Sequence, residues 1–135
     1  MTGMASDSSR RLVASAVVFD LDGLLLNTEH LARRALRLAG QEIGLDLHED
    51  VCALMIGVPA DGCRRLLLDR YGEATPADDL FAASTRHLIA LIEDGGMQLQ
   101  PGASELLTKL EQAGVPHAVA TSSSREKALH HLQRA

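Results

Sequence analysis

The sequence predicts an α/β chain: an incomplete parallel-sheet core into which a helical block is inserted. Three observations carry this. The stretch from Val13 to Asp20 is apolar without polar alternation and partly β-branched, the pattern of a strand buried on both faces. Val115 to Ala120, apolar apart from Pro116 and His117, repeats the pattern and leads into Thr121-Ser122-Ser123-Ser124 ahead of a helix. Between the two strands, from about Glu29 to Gly95, only helical periodicity is found. The boundaries read as 1–11 for a disordered leader, 12–28 and 96–135 for the core, and 29–95 for the helical block.

Taken in order, Met1 to Ser9 are small and polar. Arg10-Arg11 before an apolar run has the outline of a twin-arginine export signal, but Asp20 cuts the run short. Thr28 to Gly40 reads as a helix with Leu31, Ala35, Leu38 and Ala39 on one face and Gly40 as its stop. Arg33, Arg34 and Arg37 on the other face read as a solvated surface rather than a phosphate clamp. Helices follow over His48 to Ile56, from Pro59 to Tyr71, and over Pro76 to Glu93, where Asp78 and Asp79 favour the positive amino end. Another begins at Gln100-Pro101-Gly102-Ala103 and turns Leu106, Leu107, Leu110 and Ala113 inward until Gly114. The pair His130-His131, beside Gln133 and Arg134, reads as part of an exposed helix face.

Composition narrows the function classes. The chain has 135 residues, 46% of them hydrophobic, and a formal net charge of −5. With a pI of about 5.6 it offers no basic field for nucleic acid. One Tyr, two Phe and no Trp leave little to stack on bases. No apolar stretch approaches the ~20 residues needed to cross a bilayer. Cys52 and Cys63 form no C-x-x-C pair and read as packing residues in a reduced, cytoplasmic setting. His30, His48 and His87 are scattered without metal-ligand spacing.

The chemistry is concentrated where the first strand ends, in Asp20-Leu21-Asp22-Gly23. Ligands of open α/β sheets bind at that edge. Residues i and i+2 of an extended segment project the same way, so both carboxylates address one centre. Gly23 permits the sharp turn that brings backbone N–H groups towards an anion. Neighbouring carboxylates repel unless a cation shares the site, and a hard ion with oxygen ligands, Mg²⁺, would relieve this and draw in a phosphate. Taken alone, the tetrapeptide is equally a polar turn after a strand. Likewise, Thr121 and the N–H groups after the second strand can hold a phosphate at a helix amino end, while Ser124 alone would be a plain helix cap.

With its strand before and Leu24 to Glu29 after, the first segment resembles the opening motif of the haloacid dehalogenase-like hydrolases. The resemblance is to the sugar-phosphate phosphatase and phosphomutase branch, including β-phosphoglucomutase-like and pseudouridine-5′-phosphatase-like members, which typically reads FDLDG(V/L)LLDTE. It implies a Rossmann-like core with an inserted helical cap. Asp20 would be the nucleophile that takes the phosphoryl group, and Asp22 the acid/base. Both would hold Mg²⁺, and Gly23 would lie against the phosphate. The match departs at Asn27, where the family usually has Asp; Asn is able to cap the following helix. Thr121, 101 residues after Asp20, resembles the second motif as the phosphate-binding hydroxyl, with Ser122 lending its N–H. The helical block resembles the cap that this family inserts after the first motif, with Leu24 to Glu29 and Gly95 to Leu99 as hinge strands.

The resemblance covers only an amino-terminal part. Family members continue with a lysine that steadies the phosphoryl group and an acidic pair that completes the Mg²⁺ site; Lys109 and Lys127 lie in helices at other places. A sheet of two strands also leaves an apolar edge open. The expectation is therefore a Mg²⁺-dependent phosphatase acting on a small phosphorylated metabolite, a sugar phosphate or nucleoside monophosphate, through an aspartyl-phosphate. Its sheet would pair with a missing carboxy-terminal half. The alternatives are a phosphomutase using the same intermediate, or a non-catalytic fragment or binding module.

Overall fold

The structure, a computed structural model, describes residues 14–135. The expected leader, the arginine pair and the start of the first strand fall outside the described residues. Two short strands, β1 (Val17–Phe19) and β2 (His117–Val119), pair in parallel, with Val17 opposite His117 and Phe19 opposite Val119. Backbone bonds from Val17 N–H to the Pro116 carbonyl (2.9 Å) and from Ala120 N–H to the Phe19 carbonyl (2.8 Å) extend the pairing at both ends. The chain is thus helix-rich α/β with a small parallel sheet.

One expectation is corrected here. The first strand is not buried on both faces: Phe19 is buried and Val17 half-buried, but Val18, on the opposite face of the pleat, is 67% exposed. All three residues of β2 are exposed. Two strands are too narrow to be sandwiched, and helices cover one face only. The same narrowness affects α5 (Ala103–Gln112), where Ala103 is buried and Leu107 and Leu110 are partly covered, whereas Leu106 and Ala113, expected inside, are exposed.

Between the strands lie α1 (Thr28–Glu42), α2 (Glu49–Met55), α3 (Ala60–Tyr71) and α4 (Ala77–Leu91), the last running into a π-helical turn (Ile92–Gly96). The expected stop of α1 at Gly40 is wrong by one turn. Gly40 is buried inside the helix, where a β-carbon would come within 2.9 Å of the Leu45 carbonyl oxygen. The helix runs on to Glu42 and is closed by Gly44, at φ +73°. Leu45 N–H there reaches back to the Gly40 carbonyl (2.8 Å) and Gly44 N–H to that of Gln41 (3.3 Å), the paired bonds that satisfy a helix carboxyl end. Arg33 and Arg37 lie beside Glu49 on the outer surface, in keeping with a solvated face.

Hydrophobic packing divides into two clusters. One lies within the helical block and includes Leu36, Val51, Cys52, Met55, Leu67 and Leu80. The other joins β1 to the segments entering and leaving the block, through Phe19, Leu21, Leu26, Leu31, Ile92 and Met97. Cys52 and Cys63 are both free and buried, and burial pushes both thiols up from their ordinary pKa. They are packing residues, as expected.

The two segments that connect the block to the sheet run side by side. Leu26 and Leu99 form an antiparallel bridge, flanked by Asn27 N–H to the Gln98 carbonyl (3.0 Å) and Gln100 N–H to the Leu25 carbonyl (2.7 Å). Asn27 stands at the amino-terminal cap position of α1, but its side chain makes no capping bond. Its side chain crosses to the other segment, where Oδ1 accepts from Gln98 N–H (2.9 Å) and Nδ2 donates to the Gly96 carbonyl (3.0 Å). An aspartate in its place would have no proton to give to that carbonyl. Asn27 thus ties the entry and exit strands together.

Candidate active site

β1 delivers Asp20 at its carboxyl end, and fully buried Leu21 anchors the turn that follows. The Leu21 carbonyl accepts from both Leu25 and Leu26 N–H, each at 3.1 Å, which folds the chain back on itself. Gly23 sits in that turn at φ +77°, and a β-carbon there would come within 2.6 Å of the Glu29 side chain. Its N–H is committed internally, to the Leu26 carbonyl (2.9 Å) and Thr28 Oγ1 (3.0 Å), rather than offered to an anion. Gln100 Nε2 donates to the Gly23 carbonyl (3.0 Å), so the exit segment also holds the turn. Gly23 therefore contributes the geometry of the turn.

The second strand delivers the other half of the site. Ser123 Oγ donates to Asp22 Oδ2 at 2.9 Å, and the Thr121 hydroxyl reaches the same oxygen at 3.5 Å. Ser123 N–H in turn donates to Thr121 Oγ1 (3.1 Å). Residues about a hundred positions apart are thereby brought to one carboxylate. The next helix, α6 (Arg125–Arg134), is capped by Ser124, whose Oγ accepts from Lys127 N–H (3.3 Å). The hydroxyl run thus divides: Thr121 and Ser123 turn to Asp22, and Ser124 caps the helix. Ser123, not among the expected site residues, makes the shorter bond to Asp22. Its signal was present as the third hydroxyl of a strand-to-helix turn.

A cleft of about 750 Å³ opens between this edge and the helical block. Asp22, Ser122, Ser123, Lys127 and His131 line it on the sheet side, and Thr28 and Glu29 at the junction. Asp20 is exposed at the strand end beside it, its Oδ1 accepting from Leu21 N–H (2.8 Å). A separate groove of about 530 Å³ on the outer side of α2 and α3, lined by Leu54, Leu66 and Arg65 among others, has no part of the acid pair. Of the acid pair, Asp22 lines the cleft and Asp20 does not.

His131 is the main correction to the site. Expected on an exposed face, it is only 6% exposed, and its Nδ1 has no partner among the described residues. It lies three residues after buried Ala128, on the inner face of α6. Burial holds its pKa below the usual histidine range, with the charge of Lys127 adding to the effect and that of Asp22 opposing it. The ring is therefore neutral at pH 7. Lys127, absent from the expected machinery, supplies a cation on the sheet side of the cleft.

The donor set can be judged for a metal. Asp20 commits Oδ1 and Asp22 commits Oδ2 to protein donors, so each carboxylate keeps a second oxygen for a ligand. Hard oxygens of this kind suit Mg²⁺, which keeps several waters and takes phosphate oxygens in place of an all-protein cage. Among the described residues no group of three or more His, Cys, Asp or Glu side chains is placed to hold a metal. The pair fits as a partial donor set. No helix of the described residues is long and apolar enough to cross a membrane.

A strand ending in D-x-D-G, a helical block inserted directly after it, and a hydroxyl run from a parallel neighbour thus meet at one edge of the sheet. The chain belongs to the haloacid dehalogenase-like hydrolases, whose family model matches residues 17–135. Among its relatives, the plasmid-borne protein CbbY of Cupriavidus necator is 30% identical over 120 residues, covering 81% of this chain and 47% of its own length. Validoxylamine A 7′-phosphate phosphatase of Streptomyces hygroscopicus subsp. limoneus is 32% identical over 112 residues, 82% of this chain and 51% of that protein. The crystal structure of a hydrolase of this family from Deinococcus radiodurans, with bound phosphate and sodium, superposes with a TM-score of 0.77 at 29% identity, over 90% of this chain and 52% of that one. The chain spans about half the length of the curated relatives it matches.

Proposed function

We propose that the chain carries the nucleophile, the acid/base and the substrate-facing cap of a Mg²⁺-dependent phosphatase acting on a small phosphorylated metabolite, a sugar phosphate or a related monoester. The observation that carries this reading is the convergence of Thr121 and Ser123 on Asp22. It joins the first and second motifs at one edge of the sheet. In this reading a carboxylate oxygen of Asp20 attacks phosphorus, and the bond to the leaving oxygen breaks as Asp22 gives that oxygen a proton. Asp22 then takes a proton from water, which attacks the aspartyl-phosphate and releases inorganic phosphate, restoring Asp20. Ser123 and Thr121 hold the Asp22 carboxylate in place through both steps. Ser122 and Lys127 face the phosphoryl oxygens, as does the dipole at the amino end of α6. Asp20 and Asp22 would hold Mg²⁺, which would neutralise the charge gathered between them and the phosphate. Residues 29–95 act as the cap, with Leu24 to Glu29 and Gly95 to Leu99 as its hinge.

The test is hydrolysis of p-nitrophenyl phosphate by the purified chain with and without Mg²⁺, against Asp20→Asn. Turnover should require Mg²⁺ and fall by at least about 10³-fold in the variant. Retained turnover in Asp20→Asn would remove Asp20 as nucleophile; with a hexose 6-phosphate in place of p-nitrophenyl phosphate, recovery of an isomeric phosphate ester instead of inorganic phosphate would make the chain a mutase.

A second reading is favoured by the exposed apolar surface of the sheet half, Val18 and Val119 on the strands and Leu129 and Leu132 on α6. In it, the carboxy-terminal half found in the relatives covers this surface, and residues 1–135 alone form a binding module. A folded chain that binds phosphate without turning it over would support that reading.

A further inference from the structure

We infer that the cap selects a phosphomonoester whose leaving group is uncharged and presents an apolar face, and that it discriminates against the same molecule carrying a second phosphate. This rests on the phosphatase reading and names the substrate class within it. The charges around the cleft are segregated. Asp22 and Lys127 lie on the sheet side, beside the neutral ring of His131. The opposite wall, which the helical block contributes, is built of uncharged side chains, chiefly Met55, Ile56, Val58, Phe81 and Leu88. The further acidic group on the lining is Glu29, at the junction, which repels anions. Arg64 lies 5.7 Å from the Phe81 ring, but its guanidinium is paired with Asp78 on the outer surface.

A second phosphate pressed against such a wall would shed hydration without meeting a cation, a large cost for a dianion. A neutral sugar, cyclitol or nucleoside would instead bury its C–H surface there with a gain. The polar groups on that wall are hydroxyls. Thr85 turns its Oγ1 back to the Phe81 carbonyl (2.9 Å), which leaves Ser84 to meet a hydroxyl of the leaving group. One phosphate is thus recognised at the sheet edge, and the rest of the substrate is read by shape and a single hydrogen bond.

The experiment compares fructose 6-phosphate with fructose 1,6-bisphosphate, by calorimetric binding to the full chain carrying Asp20→Asn, in Mg²⁺, and by hydrolysis with the unaltered chain. The monophosphate should bind at least about tenfold more tightly. Placing a cation on the wall, by Thr85→Lys or by Ala60→Lys at the exposed start of α3, should shift that ratio towards the bisphosphate by about fivefold or more. The second site guards against one variant failing to fold. Equal or tighter binding of the bisphosphate overturns the inference, as does a ratio that neither lysine moves, or no binding of either ligand by a chain shown to be folded. Selective binding without hydrolysis supports the inference and counts against the phosphatase reading. Hydrolysis that favours the bisphosphate does the reverse.

Discussion

The helical block and the sheet half use the same aliphatic residues and bury them to different extents. In the block, Val51, Cys52, Leu67 and Leu80 are sealed from solvent by their neighbours on α1 to α4. In the sheet half, Leu21, Leu26 and Met97 are equally sealed where they face the block. On its other sides, Val18, Leu106, Val119 and Leu132 are exposed. The site lies on the finished boundary between the two. The difference teaches that the turn carrying Asp20 and Asp22 is anchored on the sealed side, by buried Leu21 and by Gln100 of the exit segment, while the pairing of the strands sets Asp22 against Ser123.

The largest effect expected from this contrast is in the block. Leu67 is fully buried on α3, and Leu67→Ala should cost about 2–5 kcal/mol through lost burial and the cavity left behind. Leu106 on α5 is 46% exposed, and Leu106→Ala should cost no more than about 1 kcal/mol. Urea denaturation of both variants measures the gap. Comparable losses would mean that the sheet half is as tightly packed as the block, and the contrast would be lost.

A smaller effect belongs to the tie between the two regions. Asn27→Ala removes the bonds to Gly96 and Gln98 and should cost about 1–3 kcal/mol. Serine separates the two roles considered for this position. It is among the best helix caps but cannot span to both partners on the exit segment, so Asn27→Ser should be destabilised nearly as much as alanine. Full recovery of the melting temperature by serine would reinstate Asn27 as a cap.

Much of this molecule was legible in the sequence because its signals are local. The strand ending in D-x-D-G, the periodicity of α2, α3 and α4, and the hydroxyl run before α6 all lie within windows of a few residues, and the structure has those elements in those places. What was not legible depends on partners distant in the chain. Gly40 reads as a stop by residue type, yet the close approach of Leu45 and Leu47 is what requires glycine there. Asn27 reads as a cap because caps are local, whereas its partners lie about seventy residues away. Ser123 and Lys127 acquire their place only when the parallel pairing of β1 with β2 sets the start of α6 beside Asp22. The outward-facing apolar residues of the sheet follow from strand number, which hydrophobic pattern alone does not encode.

The smallest expected effect is the pH dependence contributed by His131, and its sign follows from burial. The unfolded chain protonates this histidine near the ordinary value of 6.5, whereas the folded chain holds it below that value, through burial first and then the positive charge of Lys127 and that of His130, against the negative charge of Asp22. At a pH above 6.5 the ring is neutral in both states and its contribution to stability is complete. As pH falls from there towards the folded pKa, the unfolded chain binds a proton that the folded chain refuses, and stability is lost. His131→Leu keeps an apolar side chain of similar size on the inner face of α6 and removes the unpartnered Nδ1. The variant should therefore lose less stability than the unaltered chain between pH 7 and pH 5, measured as the difference between their thermal midpoints across that range, which subtracts the other five histidines. A constant difference would place His131 in water. A difference that moves the other way, with the unaltered chain losing less stability than the variant as pH falls, would mean that Asp22 outweighs burial and that His131 is charged beside the acid pair, which would turn the sheet side of the cleft into a more strongly anion-binding surface than its buried, neutral ring allows.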